Sequence, residues 1–536
     1  MLDGCLTWPD QMADHYRKSG LWRGEALGVV LRRSAQLHPD RVALVSGRSR
    51  WRYAQLDAIV DRRAAGLAGY GITAGDRVVV QLPQVAEFVV VCFALWRIGA
   101  HPVLCLPSYR SVEVTHLCRV AEPVAYVIPD VHLGFDYRVL AAAMRRQCPS
   151  LQHVFVAGDA DEHIALDDVV GAPGEFPDPN PSDVAFFLLS GGTTGLPKLI
   201  PRTHDDYAYQ IHASAQVCGL TQDSVYLVVL PIEFNFPWGC PGVLGTFAVG
   251  GTVVLALATA TDDHFALIEH ERVTLTSLVP SMVSLWLEEV PYSTRDLSSL
   301  TLLQVGGAPL HDDLAAHITP TLGCALQQVY GMAEGLLCLT RLDDPAHTVL
   351  HTQGRPLSSA DELMVVDTHG QQVPTGQVGE LLTRGPYTVR GYYRGGEHNT
   401  TTFTPDGYYR TGDLVRMLAD GCVIVEGRRK DVIIRGGDKI CATELENYLL
   451  SYPGVRQVAV VALPDPLLGE RSCACVVTAD TSISLAQLRT ALHQRGIADY
   501  KLPDRLEIVP QLPMTGLGKV DKKQLLTHIT TEVTGQ

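Results

Sequence analysis

Short, almost uninterrupted apolar runs recur through the first four hundred or so residues, separated by helix-like stretches. Among them are residues 78–82, 124–128, 184–189, 225–230 and 302–305. Strands that are apolar on both faces suit sheets covered by helices on both sides, so the pattern predicts an α/β layered fold. Residues 171–183 are rich in Pro, Asp and Gly and predict a surface loop. Residues 239–260 carry no charge and match a membrane span in length, but their glycines and proline predict buried turns and strands instead. Residues 421–439 are different in character, glycine-rich and basic. After them the pattern predicts a helix at 443–451, strands at 457–463 and 472–477, a helix at 485–495 and a strand at 505–509. The expectation is a large, multi-layered N-terminal domain over 1–429 and a small α+β C-terminal domain over 430–536.

Composition narrows the function classes. The chain has 536 residues, 46% hydrophobic and 19% charged, which is ample apolar material for a large core. Its 58 acidic and 43 basic residues leave a net charge of −15. That balance disfavours nucleic acid or an anionic membrane as partner, while leaving room for a local phosphate pocket. The 13 cysteines include no CxxC pair, so a zinc site is not expected. Reduced thiols and an N-terminus without a basic and then apolar leader predict a cytoplasmic protein.

The chemistry begins at Ser190-Gly191-Gly192-Thr193-Thr194-Gly195-Leu196-Pro197-Lys198, directly after an apolar run. Small residues let backbone N–H groups approach an anion, the hydroxyls of Ser190, Thr193 and Thr194 donate, and Lys198 adds a point charge. The spacing is neither that of a Walker A loop nor that of a dinucleotide fingerprint.

With this loop the sequence resembles the adenylate-forming superfamily of acyl-CoA synthetases, peptide-synthetase adenylation domains and luciferases. The resemblance covers nearly the whole chain and rests on further motifs in the family's order. These are Tyr330-Gly331-Met332-Ala333-Glu334, Gly379-Glu380-Leu381, Tyr409-Arg410-Thr411-Gly412-Asp413, Gly427-Arg428-Arg429-Lys430-Asp431 and Pro513-Met514-Thr515-Gly516-Leu517-Gly518-Lys519. The resemblance implies ATP and Mg²⁺ as cofactors. Ser190–Lys198 would hold the phosphates and Glu334 would help hold the metal. Gly306, Gly307 and Ala308 would pack on adenine, with Val329 and Tyr330 closing the other side, and Asp413 and Arg428 would bind the ribose. Lys519 would offset the repulsion between the substrate carboxylate and the α-phosphate. His204 is implied as a second catalytic residue. Lys430 matches the hinge about which the small domain rotates, and Gly436, Gly437 and Lys439 match the face presented to the incoming pantetheine thiol.

Within the superfamily the chain is most similar to stand-alone aryl-acid–AMP ligases of siderophore and nonribosomal peptide assembly. Residues 16–22, 202–207, 327–335 and 468–472 carry that likeness. The branch's acid pocket maps to Phe234, Asn235, Phe236, Gly239, Cys240, Gly307, Ala333 and Leu337. Asn235 is the expected partner of a hydroxyl ortho to the carboxylate, and Phe236 offers a face to the ring. Cys240 is a poor partner for a second hydroxyl, and Leu337 stands where a smaller Val often accompanies dihydroxybenzoate. Both point to a salicylate-shaped acid. The branch normally has His before the Asn, whereas this chain has Phe234. That departure marks either a heteroaromatic acid, such as 3-hydroxypicolinate or a quinaldate, or neutral drift. The acyl acceptor implied is the phosphopantetheine arm of an aryl carrier protein, with free coenzyme A as the alternative. A non-catalytic binding relative is the third reading, and the joint presence of Lys519, Glu334 and Asp413 argues against it.

Overall fold

The computed structural model describes residues 2–534 except 191–195, 436–437, 466–467, 481, 496, 498–500 and 517; it does not describe the side chains of 430, 434, 438–439, 469 and 531–534. Two large sheets form the N-terminal part. One has seven strands, ordered Leu199–Thr203, Val184–Leu189, His101–Leu104, Arg77–Val80, Ala125–Pro129, His153–Ala157 and Ile164–Ala165. Its neighbours are parallel except for the hairpin between its first two strands. The other has nine strands, with a parallel interior running from Ala325–Gly331 through Leu302–Gly306, Leu275–Leu278, Val225–Val228 and Thr252–Leu255 to Val42–Ser46.

The helix Ala86–Arg97 is apolar almost all round, which dictates burial rather than a surface position. It shares one hydrophobic cluster with strands of both sheets, including Val78, Val80, Val228 and Val253. An antiparallel four-stranded sheet (Glu362–Val366, Val378–Arg384, Tyr409–Met417, Val423–Arg428) completes this part. Beyond it, a five-stranded sheet and two hydrophobic clusters are built wholly from residues 432–529.

The apolar runs at 184–189 and 302–305 are strands at Val184–Leu189 and Leu302–Gly306. In the uncharged segment 239–260, a helix, Gly242–Ala248, stands where only turns and strands were expected, followed by the strand Thr252–Leu255. The basic stretch 421–439 is strand-rich, because short β-branched runs at 423–425 and 432–434 stand between its charges; Val432–Arg435 pairs antiparallel with Asp438–Cys441. Among the described residues no helix is long and apolar enough to cross a membrane.

The elements that carry the site are β1 (Val184–Leu189), β2 (Leu199–Thr203), α1 (His204–Val217), α2 (Asn235–Gly239), α3 (Pro280–Glu289), β3 (Leu302–Gly306), β4 (Ala325–Gly331), β5 (Leu337–Leu339), β6 (Tyr409–Met417) and β7 (Val423–Arg428).

Candidate active site

The glycine-rich segment joins β1 to β2 in the chain. Its neck is closed by two hydrogen bonds: Ser190 N–H donates to Lys198 O, and Lys198 N–H donates to Ser190 Oγ, both at 3.0 Å. Gly191, Gly192, Thr193 and Thr194 lie outside the described residues. Lys198 Nζ sits 5.0 Å from the centre of the Tyr392 ring, a cation–π contact. Burial lowers its pKa, against the pull of Glu334.

Glu334 is 8% exposed, and its Oε1 accepts from Tyr392 Oη at 2.7 Å. Tyr392 Oη also lies 3.3 Å from Tyr409 Oη. Thus a cation, a carboxylate and two phenols converge beside the hairpin neck. No cluster of three or more metal-ligating side chains occurs among the described residues. The buried Glu334 carboxylate, a hard oxygen donor close to Lys198, fits a Mg²⁺ held mainly by nucleotide phosphates and water.

The ribose candidates are joined by sheet register. Asp413 on β6 pairs directly with Arg428 on β7, and their side chains meet at 3.0 Å. The other carboxylate oxygen of Asp413 accepts from Tyr330 Oη at 2.7 Å. Gly412 has φ +71°, which lets the chain turn immediately before Asp413. Thr411 Oγ1 accepts from the Asp413 N–H at 3.0 Å and fixes that turn.

At the end of β3, Gly306 pairs with Val329 of β4. A side chain at Gly306 would come within 2.5 Å of Val329 O and 3.2 Å of the Phe236 ring. This glycine therefore lets Phe236 and β4 meet at one point. Gly307 follows at φ +81° and faces Val279 Cγ1, while Gly518, beside Lys519, faces Val279 Cγ2. Gly518 O also accepts from Ser281 Oγ at 3.3 Å, at the start of α3. The C-terminal domain is thus seated with the Lys519 loop against the same valine that borders the Gly307 turn. Ala308 follows Gly307 in the same turn.

The candidate acid pocket centres on α2. Asn235 Oδ1 accepts from Tyr207 Oη at 2.8 Å and from Gln210 Nε2 at 3.0 Å, and its Nδ2 donates to Met332 O at 3.2 Å. Gln210 is held in turn by Arg202, which is fully buried and donates to Gln210 Oε1 at 2.8 Å. The same guanidinium pairs with Asp206 at 2.8 Å and donates to Ala333 O at 3.0 Å. Gly239 is required, because a side chain there would lie 2.4 Å from Tyr207 Oη. Cys240 is buried, its thiol donates to Asn235 O at 3.2 Å, and burial keeps it neutral. Leu337 on β5 is buried opposite Gly331. Phe234 and Phe236 are half-buried on either side of Asn235.

Two further side chains are fixed by burial. His204 is 1% exposed and its Nδ1 accepts from the Leu27 N–H at 3.0 Å. Burial draws its pKa down to about 3, so it is a neutral ring anchoring the start of α1. Trp238 is fully buried and packs edge-on against Phe88 at 5.3 Å. The side chains of Lys430 and Lys439, and all of Gly436 and Gly437, lie outside the described residues.

Sequence reasoning missed Tyr392, Tyr207, Gln210 and Glu233. Arg202 on β2 and Asp206 and Gln210 on α1 stand four residues apart, a spacing that by itself gives no signal of burial. Glu233, next to Phe234, is 3% exposed, and neither carboxylate oxygen has a hydrogen-bond partner. Burial pushes its pKa up to about 8.

The AMP-binding enzyme description matches residues 31–393, and the AMP-binding enzyme C-terminal domain matches residues 444–519. The chain belongs to the AMP-binding enzyme family. It is a ligase of the adenylate-forming kind, and ATP is its nucleotide. It is similar to a 2,3-dihydroxybenzoate-AMP ligase of Bacillus subtilis, with 50% identity over 99% of both chains. It is also similar to a salicyl-AMP ligase / salicyl-S-ArCP synthetase of Mycobacterium tuberculosis, with 46% identity over 98% of this chain and 95% of the relative. The apo structure of Mycobacterium smegmatis MbtA superposes with TM-score 0.77 at 48% identity, covering 98% of each chain.

Proposed function

We propose that this AMP-binding enzyme activates a salicylate-shaped or heteroaromatic carboxylic acid and passes the acyl group to a phosphopantetheine thiol on an aryl carrier protein. The acid's carboxylate oxygen attacks the α-phosphorus of ATP and pyrophosphate leaves, forming the aryl-adenylate. The thiol sulfur then attacks the acyl carbon and AMP leaves.

Lys519 offsets the charge of the two approaching anions in the first step. Asp413, with Arg428 and Tyr330, holds the ribose, and Lys198 faces the phosphates beside the hairpin tip. Glu334, oriented by Tyr392, is the residue that would hold Mg²⁺, which would neutralise phosphate charge when bound. The chain then swivels at Lys430, with 1–429 and 430–536 as the two bodies, and brings the segment around Gly436, Gly437 and Lys439 to the thiol.

The observation supporting this reading is the position of Gly518 and Gly307 on opposite methyls of Val279, which brings the Lys519 loop to the nucleotide turn. The test is acid-dependent exchange of labelled pyrophosphate into ATP across a panel of aryl acids, followed by loading of a phosphopantetheinylated aryl carrier protein. Absence of exchange with every 2-hydroxyaryl and heteroaryl acid would remove the proposal. Acyl transfer to coenzyme A but not to the carrier would replace its second half.

A further inference from the structure

We infer that Gln210, clamped by Arg202, is a positioning residue that fixes the polarity of Asn235, so that the pocket reads a hydrogen-bond acceptor ortho to the carboxylate. The substrate class therefore includes acids with a ring nitrogen at that position as well as 2-hydroxy acids. The inference rests on the aryl-acid reading above and deepens it.

A guanidinium has donors only. Arg202 occupies Gln210 Oε1 at 2.8 Å, so Gln210 must turn its Nε2 the other way. That nitrogen donates to Gly239 O at 2.9 Å and to Asn235 Oδ1 at 3.0 Å. Tyr207 Oη donates to the same Oδ1. From the opposite side, the carbonyl of Met332 can only accept, and it takes one hydrogen of Asn235 Nδ2. Two independent constraints thus set the amide the same way round. With Oδ1 doubly engaged, the group left for a ligand is the second N–H of Nδ2, a donor.

A donor in that place is satisfied by a phenolic oxygen, whose own proton is free to bond the neighbouring carboxylate, or by the lone pair of a ring nitrogen. It is left unpaired by a bare C–H and opposed by an amino group, which offers hydrogens. A buried donor without a partner carries a substantial desolvation penalty, so discrimination should be large. Arg202 itself cannot relax, because it is fully buried and also paired with Asp206.

The experiment measures kcat/KM for pyrophosphate exchange with salicylate, picolinate, quinoline-2-carboxylate, anthranilate and benzoate, using the full-length enzyme and its Gln210→Glu variant. The wild type is expected to favour the best acceptor-bearing acid over anthranilate and benzoate by about a hundredfold or more. In Gln210→Glu, a second carboxylate oxygen replaces the donor facing Asn235. The carboxylate then opposes Asn235 Oδ1 while Met332 O still takes a hydrogen of Nδ2, so the amide loses its single orientation, and the salicylate-to-anthranilate ratio should fall at least about tenfold. A purely structural role for Gln210 would lower all rates together and leave that ratio alone. Should Gln210→Glu fail to fold in thermal melts, Gln210→Met reads the same ratio without adding charge. Wild-type exchange with anthranilate or benzoate as efficient as with salicylate or picolinate would overturn the polarity inference while leaving adenylation of aryl acids standing. An unchanged ratio in the folded variant would overturn the role of Gln210. Exchange with no acid at all would instead remove the aryl-acid reading on which the inference rests.

Discussion

Glu233 offers the sharpest physical test of the pocket's surroundings. It is 3% exposed, has no hydrogen-bond partner for either oxygen, and is held mainly protonated at neutral pH, with a pKa near 8 against an ordinary 4.5. Below pH 4.5 the folded and unfolded chains both carry the proton and nothing is lost. Between pH 4.5 and 8 the unfolded chain releases the proton while the folded chain keeps it, so stability falls as pH rises, by about 1.4 kcal/mol per unit. At pH 7 the loss amounts to about 3 kcal/mol. Glu233→Gln removes the titration while keeping the shape, and any constant cost of burying the amide cancels when the two proteins are compared across pH. For an N-terminal body of about 430 residues, 1 kcal/mol corresponds to about 1 °C. Relative to wild type, Glu233→Gln should therefore gain about 4 °C in Tm between pH 5 and pH 8, read by calorimetry or tryptophan fluorescence. A difference in Tm that stays constant over that range would mean that Glu233 is ionised in the folded protein, refuting the account of an unpaired buried acid.

Lys519→Ala should abolish pyrophosphate exchange while leaving aryl-acid affinity, measured calorimetrically, within about twofold; retained exchange would refute the role of the lysine. Tyr392→Phe deletes the phenol that orients Glu334 and should lower kcat/KM for ATP about tenfold or more, with a higher Mg²⁺ requirement, since bonds to charged groups contribute about 1.5–3 kcal/mol. The wild type should prefer salicylate to 2,3-dihydroxybenzoate, and Cys240→Ser with Leu337→Val should shift that ratio towards the dihydroxy acid by about tenfold. A wild-type preference for 2,3-dihydroxybenzoate, which the 50% identical Bacillus subtilis relative bears in its name, would refute the reading of those two positions.

The parts of this fold that show in the sequence are those where burial forces composition. The strand Val184–Leu189 is fully buried, so its run of apolar residues is unbroken and its limits can be read directly. The Gly306-Gly307 turn shows as glycine because Val329 O leaves no room for a side chain at Gly306 and Gly307 has a φ of +81°. The antiparallel sheet of 362–428 was not foreseen, because its strands are half-exposed and mix polar with apolar residues. Nor does the pattern reveal that Arg202, Asp206 and Gln210 are buried together, since polar residues spaced along a helix ordinarily face water. Tyr392 lies in a loop without periodicity, and only the fold brings it to Glu334.

The pairing of Asp413 with Arg428 across β6 and β7 has a mechanical consequence. Arg428 ends a strand, and Lys430, the proposed swivel, follows two residues later. On the proposed roles, the ribose grip would therefore stand at the axle of the proposed domain rotation rather than on its rim. Points near an axle sweep little distance, whereas Lys519, 89 residues further along the chain in the moving body, would sweep more. A turn of the small domain can then carry the lysine away while the adenylate stays clamped by its sugar, so that the intermediate is held in place throughout the exchange of one catalytic face for the other.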